Sequence, residues 1–254
     1  MRHVAAICAR ELAAYFLAPT AYFVLLAFQI IAFFDFGALV ASLSQPQREY
    51  SSLRDPMSTY IAGSTVFWLA ILVAVPAITM RLIAEERRTG TIETLLTLPV
   101  SELQVVLAKW VAGVVMFCFL LIPFALYLPF LYFQARFYFD LGPVVALSIG
   151  LPTLGMMFVS IGLLFSSLTR NQIIAFVWTF VVLFILVWLA PLVYLFAAGQ
   201  HAGWAEAPRF VAVIYHVQSF AAGQLDLRYL ALHLSVCVLM LYLTVKILES
   251  RSNR

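Results

Sequence analysis

Charge is what this sequence has least of. Asp, Glu, Lys and Arg make up 11% of its 254 residues, where a soluble globular domain carries about a quarter. Hydrophobic side chains make up 64%, so the chain is an integral membrane protein rather than a soluble domain. A net charge of +3, with no Lys/Arg-rich block, argues against nucleic acid as a partner. The three cysteines, Cys8, Cys118 and Cys237, are odd in number, far apart and without a CxxC, which excludes a disulfide framework and a thiolate metal site. Neither of the two lysines, Lys109 and Lys246, follows a glycine, so no P-loop exists to cradle nucleotide phosphates. No HExxH occurs, and His3, His201, His216 and His233 are not at ligand spacing on one helix; structural histidines are expected. Catalytic, metal-binding and cofactor-binding residues are therefore all expected to be none on this chain. Of the ionisable groups, only Asp35 and His233 approach mid-membrane depth, which weakens the case for an ion-coupled carrier.

What is present is a succession of apolar runs of membrane-spanning length. Residues 1–18 mix Arg2, Arg10 and Glu11 with Val4, Ile7, Leu12 and Phe16, a pattern suited to a helix lying along the membrane surface. The runs Thr20–Leu43, Met57–Met80, Val105–Phe133, Pro143–Leu168, Ile173–Ala198 and Tyr229–Leu248 each have the roughly 20 residues a span requires, giving six transmembrane helices in an all-α protein. Asp35 falls in the outer half of the first, where interfacial water or a buried functional role would each suit a carboxylate. The fourth is richest in small residues (Ser148, Gly150, Gly155, Ser160, Gly162) and is expected inside the bundle, because small side chains let helices approach closely in lipid. In the fifth, Phe176, Phe180, Phe184 and Trp188 recur every four residues as an aromatic stripe; it fits a lipid-facing or core face, and equally a pathway wall or dimer seam. Residues 199–228 are apolar but broken by Gly203, Pro208 and Gly223, too short in either half to span, which leaves a re-entrant segment or a folded outer loop. With both termini cytoplasmic, the inner segments hold ten Lys and Arg against five outside, in agreement with the positive-inside rule.

One long stretch keeps its charge: residues 81–104, between the second and third spans. Glu85, Glu86, Arg87 and Arg88 sit directly behind an apolar run, where a membrane helix emerges into water. Gly90 suits the left-handed closure of a helix, and Thr91 can cap the next. That next helix is amphipathic, with Ile92, Leu95 and Leu96 on one face, Glu93, Thr94 and Thr97 elsewhere, and Pro99 ending it. Ser101 and Gln104 fit a capping box for the helix that follows. On physical grounds alone this short helix suits a surface lying on the bilayer as well as one docked on a partner.

The run AEERRTGTIETLLTLPVS resembles the signature of ABC-2 type transporter permeases, close to AEE.R.GT.E.LL..PVS, between the second and third membrane helices. Weaker likenesses, RELAAYFLAPTAY near the N-terminus and YHVQSFAAGQLDLRYL toward the C-terminus, are most similar to the branch that includes gliding-motility transporters. The resemblance implies one membrane domain over residues 1–254 with the ABCG-like exporter fold. It would have an N-terminal interfacial helix, a cytoplasmic coupling helix in the loop, and a re-entrant segment over 199–228. It implies that Glu85, Glu86, Arg87, Arg88, Gly90, Thr91, Ile92, Glu93, Leu95, Leu96 and Pro99 engage an ABC ATPase subunit. Two ATPase copies, binding ATP and magnesium, would serve a homodimer or heterodimer of permeases in a bacterial inner membrane. In such a fold the second and fifth helices line the central cleft, which favours Phe180, Phe184 and Trp188 as pathway or dimer residues. The chain itself is then not an enzyme. A membrane scaffold that passes force without moving a substrate is the alternative from a different class.

Overall fold

The computed structural model describes residues 2–43, 61–90, 101–135, 141–200 and 203–252. Among these every regular element is helical. Helix α1 (Arg2–Leu17) gives way at Ala18 to α2 (Pro19–Leu43), whose Pro19 has no amide to lose at a helix start. Next come α3 (Thr65–Thr79), the short α4 (Ala84–Thr89), α5 (Glu102–Ala135) and α6 (Leu141–Leu168). The fifth span is one helical run made of α7 (Gln172–Phe184), a π-helical turn (Ile185–Leu189) and α8 (Ala190–Gly199). The short helices α9 (Glu206–Val211) and α10 (Val213–Ala221) precede α11 (Leu227–Ser252).

Among the described residues six stretches are long and apolar enough to cross a membrane: Ala21–Ala41, Thr65–Thr89, Glu102–Tyr127, Gly142–Leu168, Gln172–Gly199 and Leu227–Ser250. The protein is therefore an all-helical, multi-pass membrane protein with six spans, as the apolar runs indicate. Two boundaries differ from the sequence reading. Within the described residues the helix of the second span starts at Thr65, because Ser64 accepts the Phe67 amide at 3.0 Å and caps it there, while the start of the apolar run, from Met57 to Tyr60, lies outside them. It also continues past Met80, through a turn, into α4. The tight link between α6 and α7 is as short as expected: Asn171 caps α7 by accepting the Ile173 amide at 2.9 Å.

The core forms around α3 and α6. Of the most apolar window in each span, 67% is buried in the second and 61% in the fourth, against 22% in the first and 28% in the fifth and sixth. The small residues of α6 explain its place: Gly150 lies against the Phe220 ring, Gly155 against the Phe117 ring and Gly162 against Thr79, each with no room for a Cβ. In lipid no hydrophobic gain drives helices together, so close approach at such positions supplies the packing. α2, α7, α8 and α11 each leave an apolar face uncovered, including Phe33, Phe34, Trp178, Phe196, Val238 and Tyr242.

Candidate functional site: the charged stub of the second span

The second span breaks between Met80 and Ile83 and resumes as α4, the element that carries Glu85 to Arg88. A helix break in an apolar protein leaves backbone groups that must find partners. Ser166, from the end of α6, supplies them: its Oγ accepts the amides of Ile83 and Ala84, each at 3.0 Å, and its hydroxyl donates to the Met80 carbonyl at 3.0 Å. Arg87 reaches the same place and donates to the Ser167 carbonyl. α4 ends as its sequence demands, at Gly90 with φ 75°, a left-handed conformation that a Cβ would strain.

The four charges of α4 divide into two pairs. Glu85 and Arg88 face outward and pair with each other at 2.9 Å. Arg87 and Glu86 face inward. Glu86 Oε1 lies 2.9 Å from Lys109 Nζ on α5 and 3.0 Å from Arg10 on α1. Glu11, also on α1, completes the cluster at 3.0 Å from Lys109 and 2.9 Å from Arg10. Lys109 is only 1% exposed, so its charge is held by two carboxylates from two other elements. Burial alone would raise the Glu11 carboxyl, but Lys109 and Arg10 outweigh it and hold the group below the usual carboxylate range. A second contact joins α1 to the stub: the Arg81 guanidinium lies 4.4 Å over the Tyr15 ring, and the buried Tyr15 hydroxyl donates to the Ile78 carbonyl at 2.7 Å.

The expected coupling helix, with Thr91, Ile92, Glu93, Leu95, Leu96 and Pro99, lies outside the described residues. What surrounds it is defined. α4 leads into it through Gly90, and on the far side Ser101 and Gln104 form the capping box that opens α5, with Gln104 N to Ser101 Oγ at 3.4 Å and Ser101 N to Gln104 Oε1 at 3.3 Å. Sequence reasoning placed Glu86 and Arg87 in the loop but did not pair them. The signal was a lone lysine in an otherwise apolar helix start, which in a membrane protein demands a carboxylate partner. Ser166 gave no such signal, because nothing in a serine near a helix end tells which backbone it will serve.

The aromatic stripe of the fifth span is a ladder of stacked rings, with centroids 6.3 Å apart for Phe176 and Phe180 and 6.2 Å for Phe180 and Phe184. It runs beside the buried edge of Ala175, Thr179, Leu183 and Val187; Phe184 is 44% exposed, and Trp188 lies partly buried within the π-helical turn. No group of three or more His, Cys, Asp or Glu is arranged for a metal among the described residues.

Residues 16–251 match the family model described as ABC-2 family transporter protein. No curated protein is significantly similar to the chain in sequence.

Proposed function

The chain belongs to the ABC-2 family of transporter proteins, and on that premise we propose that it is the permease subunit of an ATP-driven exporter whose ATP is hydrolysed on a separate ABC ATPase subunit. Membership makes it a membrane component of an ABC transporter that associates with such an ATPase. Export, a dimer of permeases with two ATPase copies, a bacterial inner membrane and cytoplasmic termini form the finer part of the proposal, together with the likeness to the gliding-motility branch. The observation that carries it is the tethering of α4, where α1, α5 and α6 each bond to six residues of helix that project from a span. A stub so held is suited to passing force from whatever docks on the loop beyond Gly90. In this reading 92–98 is an amphipathic wedge in a groove of the ATPase. Burying two or three Leu or Ile side chains there contributes about 4 to 8 kcal/mol of gross transfer energy, offset in part by lost freedom. Phe180, Phe184 and Trp188 face substrate or the second permease, and the segment holding α9 and α10 dips into the outer leaflet.

Leu95→Asp tests the wedge by placing a charge in the docked face. The expected result is normal membrane insertion with loss of the co-purifying ATPase, or with ATP hydrolysis no longer linked to transport; Glu86→Ala should act more mildly. Full retention of both in Leu95→Asp would return 92–98 to a helix lying on the bilayer. Substrate-stimulated hydrolysis by the reconstituted complex separates a transporter from a scaffold.

A further inference from the structure

The two histidines nearest the opposite end of the bundle pair with each other. His216, on α10, and His233, on α11, are both fully buried, with His216 Nδ1 3.1 Å from His233 Nε2. The proton positions follow from the neighbours. The Phe210 carbonyl, 2.9 Å from His216 Nε2, can only accept, so that nitrogen carries the hydrogen. His216 Nδ1 must then accept from His233 Nε2–H, which leaves His233 Nδ1 as a lone pair facing Thr153 Oγ1 at 3.4 Å. The Thr153 hydroxyl already donates to the Gly150 carbonyl at 2.8 Å. This chain of bonds joins three elements, α9, α10 and α11, and sets its end against Thr153 of α6. Tyr229 stacks on His216 at 4.1 Å, and Phe220 sets its ring near His233 while lying against Gly150.

The bond between the rings holds only while His216 is neutral. A proton added at His216 Nδ1 would face the His233 N–H across 3.1 Å, donor against donor. A proton added at His233 Nδ1 could donate to Thr153 Oγ1, but it would put an imidazolium among Tyr229, Phe220 and α6, and α6 has no ionisable side chain along its length. Among the described residues the remaining charged and titratable groups around the pair offer no buried counter-ion. On α9, Glu206 and Arg209 pair with each other at 3.6 Å, and Arg209 lies 5.7 Å over Tyr194 of α8. Tyr215 of α10 packs edge-on to Tyr194. At the start of α11, Asp226 is held by Arg228 at 2.7 Å, and Cys237 lies one turn beyond His233.

We propose that His216 and His233 form an acid-released latch: while neutral they fasten the α9–α10 segment onto α11, and proton uptake sets that segment loose. Burial draws the His216 imidazole down to about 4, against 6.5 when free, and only its bond to Phe210 and the distant Asp226 act the other way. The sign follows. Above pH 6.5 neither the seated nor the released segment binds the proton, and the latch is at full strength. Between 6.5 and about 4 the released form takes up a proton that the seated form refuses, so the seated form loses ground as the pH falls. From pH 7.5 to 5.5 His216 alone should raise the released fraction about tenfold.

Hydrogen exchange of the purified full-length permease, followed by mass spectrometry at pH 7.5 and 5.5 and corrected for the intrinsic rate, reads this directly. Peptides covering Val213–Ala221 should lose protection about tenfold at pH 5.5, while peptides from α4 and the start of α5 should not. Asp226→Asn should leave that loss intact, since the Asp226 carboxyl is already held below its usual value by Arg228 and does not titrate in this window. His216→Phe combined with His233→Phe should abolish the pH dependence. Equal protection at the two pH values in the unaltered protein would overturn the latch, as would loss of the effect in Asp226→Asn or its persistence in the double phenylalanine variant.

Discussion

The two ends of α6 fasten a neighbouring segment in opposite ways. At Ser166 and Ser167 the chain is held by full charges and by a hydroxyl that serves backbone groups; near Gly150 it is held by the Phe220 ring packed on the glycine and by the adjoining pair of neutral imidazoles. Both solve the same problem, that a polar group taken out of water must be paired. They differ in what upsets them. The Glu11 carboxyl is held below its usual range, so its contribution persists until the pH falls through that lowered value and does not change between pH 7.5 and 5.5. The histidine end loosens across that same interval. A protein that sets one fastening of each kind on a single central helix keeps one end fixed and makes the other conditional.

Three substitutions sharpen that contrast. Lys109→Met should do the most, because it removes the buried cation that Glu11 and Glu86 share. Breaking a buried pair of this sort costs about 3 to 5 kcal/mol. A thermal unfolding scan in detergent should show a large drop in Tm, and Lys109→Arg should recover most of it; a Lys109→Met protein as stable as the parent would mean that the cluster is not held as described. Ser166→Ala comes next, at about 1 to 3 kcal/mol, since the amides of Ile83 and Ala84 lose their acceptor in a buried place. Its signature is faster exchange of those two amides with α10 unaffected, and slowed or unchanged exchange there would refute the assignment. Glu85→Gln should do least, within about 0.5 kcal/mol, because the Glu85–Arg88 pair is well exposed and water screens it. An effect as large as that of Lys109→Met would show that Glu85 turns inward.

The bundle itself could be anticipated from the sequence, and for a plain reason. Six runs of apolar residues, glycines grouped in the fourth, and caps at Gly90 and Ser101 are all local signals, and each local choice agrees with the final fold. The start of the second span was misjudged because hydropathy does not distinguish Ile61 and Ala62, which are buried outside α3, from residues within it; the hydroxyl of Ser64 decides the boundary. The tethering of α4 was legible only in part. Its charges stand out in an apolar chain, but Glu11, Glu86 and Lys109 lie far apart in the sequence, and one chain read alone does not say which distant charge meets which. The histidine pair was hidden for the same reason, with 17 positions separating the partners.

The three bonds of Ser166 have a mechanical consequence. A helix that breaks for four residues is ordinarily a joint, free to bend because its unpaired backbone groups can exchange partners with water. Here one hydroxyl from another helix closes the amides on one side of the break and a carbonyl on the other. The joint is thereby turned into a fulcrum, with its pivot on α6 rather than within the second span. Any tilt of α4 must turn about Ser166, and only a few residues further on the same strand of chain passes through Asn171 into the helix that carries the stacked phenylalanines. Movement at the charged stub and movement of the aromatic ladder thus share one short lever arm.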